Sequence, residues 1–273
     1  MFDFNYQVNA VMQNQQMLNT YFNNMQNQFT PGYKAENISF SDMLGQQMAG
    51  RGAKVKTSGI VFTQGQIYSD NTPTHMAING SGFFAVSDGR QTHYTRDGQF
   101  QWGQEGSLQM GDGKKVLGFQ LDANGNIVGD AKPLQCQIDP QNGLYQGKYN
   151  SVSFDDNGIL YGEVTETNPV TNQSVTQKVP IAQVAMASFA NAGGLQKTGN
   201  TTFGETKNSG KVVVGVAGQG ALGKIANGSL EMSNVDFAQQ AAAIGMAKQN
   251  YEANFAAFKT MDKLTESAMG LVH

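Results

Sequence analysis

The sequence is short of the residues that most chemistry needs. A single cysteine, Cys136, in 273 residues leaves no partner for an internal disulfide or a multi-cysteine metal centre. The three histidines, His75, His93 and His273, form no H-x-x-x-H pair, and no third ligand is nominated beside His75 and His93, so no zinc site is expected. Charged residues make up only 14% of the chain, with a net charge of −3 and no dense Lys/Arg patch. A surface that tracks phosphates needs such a patch, so no nucleic acid partner is expected. No apolar run approaches the roughly 18 residues of a bilayer span, so no membrane insertion is expected. The opening Met1-Phe2-Asp3-Phe4-Asn5 has neither a basic nor an apolar leader region, which predicts no cleavable secretory signal.

Motifs that spell chemistry fail on their context. Gly218-Gln219-Gly220-Ala221-Leu222-Gly223 reads G-x-G-x-x-G behind the strand-like Lys211–Val216. A dinucleotide site needs a helix opening at the third glycine, and Asn227-Gly228 interrupts any helix there. Asp122-x-Asn124-x-Asn126 begins like a calcium loop, but Ile127 and Pro133 stand where glycine and a bidentate glutamate are required. It reads as a turn. Asp155-Asp156 sit in an Asp-Asp-Asn-Gly turn as solvated carboxylates. No G-x-S-x-G elbow is present, and Cys136 has no histidine near it in sequence. Its alternation with Leu134 and Ile138 makes it a small buried hydrophobe. Neither an enzyme nor a cofactor or metal site is expected.

What the sequence does have is periodicity at its ends. Phe4, Val8, Val11, Gln15, Leu18, Phe22, Met25 and Phe29 alternate in steps of four and three, a heptad seam interrupted only by Gln15. Over residues 1–33 the only charged side chain is Asp3. A solvated surface helix normally carries interspersed charge; this one is rich in Gln and Asn, as suits a helix buried in a larger assembly. At the other end, Ser233 and Asp236 read as a capping pair ahead of a proline-free, alanine-rich stretch. Ile244, Tyr251, Phe255 and Phe258 fall on one helical stripe, continued by Met261, Leu264, Ala268 and Leu271. A helix of that length, about 50 Å at about 1.5 Å per residue, needs a partner helix.

Between the ends the period changes. Asn37–Gln64 is a glycine-punctuated connector anchored by Phe40, Met43 and Leu44. From about Gly65 to Ile225 short alternating runs such as Phe83–Val86, Val116–Leu121 and Gln183–Met186 read as strands. Asn79-Gly80, Asp88-Gly89, Asp97-Gly98, Asp112-Gly113, Asn124-Gly125, Asn142-Gly143 and Asn157-Gly158 separate them as tight turns with glycine at positive φ. That predicts an all-β body.

Two ordered motifs at opposite ends identify a resemblance to the axial proteins of the bacterial flagellum, its rod and hook subunits. Asn23-Asn24-Met25-Gln26-Asn27 and Thr30-Pro31-Gly32-Tyr33-Lys34 resemble the family's amino-terminal signature. Leu230-Glu231-Met232-Ser233-Asn234-Val235-Asp236, with Tyr251-Glu252-Ala253-Asn254 beyond, is similar to the carboxy-terminal one. Ala77–Phe84 and Tyr94–Phe100 carry the likeness into the middle of the chain. Gln26 stands where the family has a small residue and Ala10 where it often has Gly, while Gln239-Gln240 and Asn250 replace an acidic residue and an Arg, removing charges that would make salt bridges.

The resemblance implies a structural subunit that self-assembles into a helical homopolymer and contacts other rod and hook proteins. It also implies torque transmission, a lining for the export channel, and a place in the basal body or hook reached without a cleaved signal. The expected fold class is α+β: a mainly-β body over 66–225, a connector over 34–65, and terminal helices over 1–33 and 226–273 pairing as a coiled coil. Length favours a rod protein, while the short connector and Val116–Asp122 are hook-like, so a hook-type subunit with a reduced outer region is the alternative. A periplasmic β-rich binding module with helical arms is a reading of another class, which a deep apolar pocket with convergent polar groups would favour.

Overall fold

A computed structural model of the chain describes residues 4–41, 54–167 and 174–270. It divides into two compact units. One comprises Met1–Phe29, Lys34–Val61 and Val235–His273; the other comprises Thr30–Tyr33 and Phe62–Asn234.

The first unit is built on two helices lying against each other, α1 (Phe4–Gln26) and α2 (Phe237–Gly270). Their 23 and 34 residues correspond to about 35 and 50 Å of helix. α1 ends where Asn27 turns its side-chain amide back onto Asn23 O at 2.8 Å. Pro31 then excludes further helix, since the residue before a proline is pushed out of the α region. α2 begins three residues later than a cap at Ser233 would place it. Asp236 is itself the cap: its Oδ1 accepts from Gln239 N at 3.1 Å and its carbonyl from Gln240 N at 3.0 Å.

Part of the expected connector is β structure. Glu36–Ser41 and Lys54–Ile60 pair antiparallel, with a register shift between Ser39 and Phe40. Met43, Leu44 and the glycines at 45, 50 and 52 lie outside the described residues.

The second unit is a curled, mainly antiparallel body. Its largest sheet has thirteen strands. Its main path runs Ser151–Phe154, Ile159–Thr167, Ser174–Val184, Lys115–Leu121, Phe83–Ser87, Thr92–Thr95, Thr202–Gly204 and Gln196–Lys197. Lys115–Leu121 changes partner along its length, pairing with Phe83–Ser87 at its start and with Ser174–Val184 further on. This hand-over curls the sheet round a core that includes Met76, Phe84, Phe100, Leu108, Leu134, Leu160 and Val184. Cys136 belongs to that core, and burial pushes its thiol up to about 11. A second apolar cluster sets Phe62, Phe83, Phe189 and Phe203 edge to face at centroid separations of 5.0 to 6.1 Å.

The turns follow one recipe that the sequence reading only half describes. In 110–114, 122–126 and 155–159 the glycine N–H returns to the carbonyl three residues back, at 2.9, 2.9 and 3.0 Å. Gly113, Gly125 and Gly158 take positive φ, and the Asp or Asn before each does not. These are type I turns followed by a left-handed glycine, not turns with two left-handed residues. Gly98 differs again. Its φ is not positive; it is glycine because a Cβ there would lie 1.6 Å from Met76 O.

Candidate assembly interface

The helical stripes divide into covered and uncovered rows. On α1 the half-buried side runs through Val11, Asn14, Leu18, Tyr21 and Met25, with Asn24 fully buried. Gln15, Phe22 and Phe29, expected on the same seam, are exposed, Phe22 to 46% and Phe29 to 75%. Phe4 and Val8 belong to α1, and their side chains lie outside the described part. On α2 Ile244, Tyr251 and Phe258 are half-buried at seven-residue intervals and Ala247 is buried. Phe255 is exposed to 39% and Leu264 to 64%. One partner helix covers only one flank of so wide a stripe. The rings of Tyr251, Phe255 and Phe258 nonetheless stack in file, with centroids 6.0 and 6.5 Å apart. Met261 lies in α2 with its side chain outside the described part, as does Ala268; Leu271 lies outside the described residues.

Of the amino-terminal motif, Asn24 joins three parts of this unit. Its side chain bonds both backbone groups of Glu36 and reaches Gln240 Oε1 at 3.2 Å. Asn23 and Asn27 pair with each other at 3.1 Å near the end of α1.

Of the remaining motif residues, Thr30, Gly32, Tyr33, Leu230, Glu231, Ser233 and Asn234 belong to the body, which holds a buried ion pair, while Val235 and Asp236 belong to the helical unit. Glu231 closes the strand Ser229–Glu231, which pairs with Ile67–Ser69. Its Oε2 accepts from Arg96 Nη1 at 3.0 Å and its Oε1 from Gly65 N at 2.8 Å. Its main-chain carbonyl accepts from Gly32 N at 2.7 Å. Arg96 also donates to Ile78 O at 3.4 Å and Gly80 O at 2.8 Å. The side chains of Arg96 and Glu231 are 6% and 0% exposed. Burial pulls the Arg96 guanidinium below its ordinary range, and the facing carboxylate opposes that pull. Removing one partner of such a pair typically costs about 3–5 kcal/mol, whereas replacing both by apolar groups is often neutral.

The neighbours fit the same knot. Gly32 has φ +67 and a Cβ there would lie 2.2 Å from Asp97 N; at Gly65 it would lie 2.0 Å from Met232 O. Tyr33 is fully buried under Lys197, whose Nζ sits 4.3 Å from the ring centroid. Asn234 Nδ2 donates to both Thr63 O and Thr63 Oγ1 at 3.0 Å. Leu230 is buried, and Thr30, Ser233 and Val235 are half-buried. Arg96 is the residue that sequence reasoning passed over. The signal was present: two opposite charges, each inside a strand-like apolar context, in a chain poor in charge.

The motifs discounted in the sequence have plain structural uses. Gly218–Gly223 is a turn closed by Gly218 N on Gly223 O at 2.9 Å, and it leads into the strand Lys224–Asn227. Asp122 Oδ1 accepts from Asn124 N and Asn126 N at 2.9 and 2.8 Å. His75 pairs with Asp70 at 2.6 Å, and His93 with Asp88 at 3.2 Å. His273 lies outside the described residues. Among the described residues no helix is long and apolar enough to cross a membrane.

The described chain is thus a mainly-β body with a buried ion pair, together with an amino-terminal and a carboxy-terminal helix that carry exposed apolar side chains. Residues 77–162 match the family described as flagellar hook protein FlgE/F/G D1 domain, and residues 226–271 match flagellar basal body rod FlgEFG protein C-terminal. The chain belongs to this family of flagellar rod and hook axial proteins. It is 28% identical to the flagellar basal-body rod protein FlgG of Borreliella burgdorferi over 93% of this chain and 92% of that protein. For FlgG of Bacillus subtilis the identity is 27%, over 91% and 90%. The flagellar hook protein FlgE of Helicobacter pylori is 27% identical over 89% of this chain but only 33% of its own length.

Proposed function

We propose that the chain is a structural subunit of the flagellar rod that polymerises through its terminal helices, transmits torque along the axis and lines the export channel. The observation that carries this reading is the uncovered apolar row on each helix: Met12, Phe22 and Phe29 on and just beyond α1, and Phe237, Met246, Phe255 and Leu264 on α2. Burying a large apolar side chain contributes about 1.5–3 kcal/mol, so neighbouring copies that cover these rows gain stability a single chain lacks. Phe4 and Val8 extend the α1 row in sequence and belong to the same proposed contact. In this reading the helices pair as a coiled coil, and the body, Phe62–Asn234 with Thr30–Tyr33, is the part that folds alone.

Rod rather than hook is favoured by length, since rod relatives align with this chain over about nine tenths of their own sequence. A hook-type subunit has one observation of its own: FlgE of Borreliella burgdorferi is 34% identical over 131 residues, 48% of this chain and 28% of that protein. Mass spectrometry of separately purified rod and hook fractions decides between them. The chain should appear in the rod fraction with its amino-terminal residues intact, consistent with export without a cleaved signal. Absence from both fractions would overturn the axial assignment.

A further inference from the structure

The chain passes between the two units at 29–30, 33–34, 61–62 and 234–235. Glu231 bonds Gly32, which lies between the first two passages, and Gly65, which follows the third, and itself precedes the fourth. One residue thus ties three stretches of the body that lead to the helical unit. Arg96 touches neither glycine. It holds the carboxylate whose second oxygen holds Gly65, and it bonds the carbonyls of Ile78 and Gly80 behind it.

We propose that Arg96 is a positioning residue for assembly: by anchoring Glu231 it holds to one point the three stretches of the body, 30–33, 62–65 and 231–234, that border all four passages. The proposal rests on the assembly reading above. Its physical content is that the Gly32 and Gly65 amides, remote in sequence, open in a single event, because both depend on the same anchored strand end. A residue that merely stabilises the body would slow exchange everywhere alike.

The test is amide hydrogen exchange on the full chain, compared with rod assembly seen by electron microscopy of basal bodies. In the unaltered protein the exchange rates of Gly32 and Gly65, each divided by the rate of the same amide in an unfolded chain, should be equal. Arg96→Met should accelerate both by the same factor, about tenfold or more. The amides of Ala85 and Val184, bonded within the body to Ala185 O and Gly158 O, should accelerate by a smaller factor, and incorporation should be lost. The double variant Arg96→Met/Glu231→Leu, which leaves no unpaired charge, should recover the melting temperature but neither the shared protection nor assembly. Unequal ratios at the two glycines in the unaltered protein overturn the proposal even if every variant misfolds. Normal assembly of the double variant overturns it equally. If Phe29→Asp/Phe255→Asp chains also assemble normally, the assembly reading itself fails, and the exchange rates alone decide the clasp.

Discussion

The side chain of Asn24 completes a strand-like pairing with the backbone of Glu36: Nδ2 donates to Glu36 O at 2.8 Å, and Oδ1 accepts from Glu36 N at 3.0 Å. A helix residue here serves as a rung of a sheet. The third contact, Nδ2 to Gln240 Oε1 at 3.2 Å, ties the same amide to the first turns of α2. Buried polar groups on a helix seam fix register at some expense of stability. Asn24 therefore adds directional hydrogen bonds to a covered face of α1 that is otherwise largely apolar, through Val11, Leu18, Tyr21 and Met25.

Asn24→Leu keeps the volume and strands both backbone groups of Glu36. Leaving a buried donor or acceptor unmade costs about 1–3 kcal/mol each. The expected outcome is an intact body with proteolytic cleavage between α1 and the hairpin, read by mass spectrometry of the fragments. Unchanged cleavage kinetics would mean that the amide contributes no register.

Asp236 sets the start of α2. Asp236→Ala removes the acceptor for Gln239 N, a loss worth about 1 kcal/mol at a helix amino terminus. Asp236→Asn keeps a capping oxygen and should be nearly silent. Circular dichroism should show reduced helix content for the alanine variant alone. Equal spectra for both variants would assign the cap to another residue.

The reach of the sequence can be judged from these same residues. Helix periodicity and Asn/Asp-Gly pairs are local, so both helices and the β body could be read from them. Cys136 was placed in the core by simple alternation with Leu134. Which flank of each helix is covered was not legible, because the sequence shows a wide stripe and only tertiary contact chooses between Leu18 and Phe22. The hairpin Glu36–Ser41/Lys54–Ile60 was hidden by polar strands and flanking glycines. Arg96 and Glu231 could each be suspected as a charge in a charge-poor chain, but they lie far apart in sequence, and no local pattern couples the charge just after the strand Thr92–Thr95 to the one that ends Ser229–Glu231. Gly98 looked like one more turn glycine, although its reason is a carbonyl contact with Met76.

Asp97 gives the body a pH signature. Burial raises its carboxyl above the ordinary value of 3.8, while Gln99 N and Thr201 Oγ1 hold it by hydrogen bonds. A carboxyl with a raised folded value binds more protons folded than unfolded, so its contribution falls as pH rises through and above 3.8. Asp97→Asn keeps an acceptor for Gln99 N and removes the buried charge. It should raise the body's melting temperature at pH 7, and the gain should shrink as pH is lowered towards 3.8. A gain equal at both pH values, or a loss at pH 7, would show that the charge is not what burial penalises.

The exposed rings separate packing within one chain from packing between chains. Phe29 and Phe255 are 75% and 39% exposed, whereas Tyr251 and Phe258 are half-buried within the helical unit. Phe29→Asp/Phe255→Asp places one carboxylate largely in solvent and the other at the open edge of the Tyr251–Phe255–Phe258 file, so the subunit's circular dichroism and melting should change only slightly. In a polymer the same carboxylates enter an apolar contact, and an unpaired buried charge costs several kcal/mol at each site. The loss recurs in every subunit, so incorporation should fail and cells should be non-motile. Tyr251→Asp/Phe258→Asp strikes the covered flank, and should lower the helix signal of the isolated chain as well as block assembly. Normal basal bodies with the Phe29/Phe255 pair replaced would mean that these rings face solvent in the tube too. A collapse of that variant's helix signal would instead place them inside the single subunit's own fold.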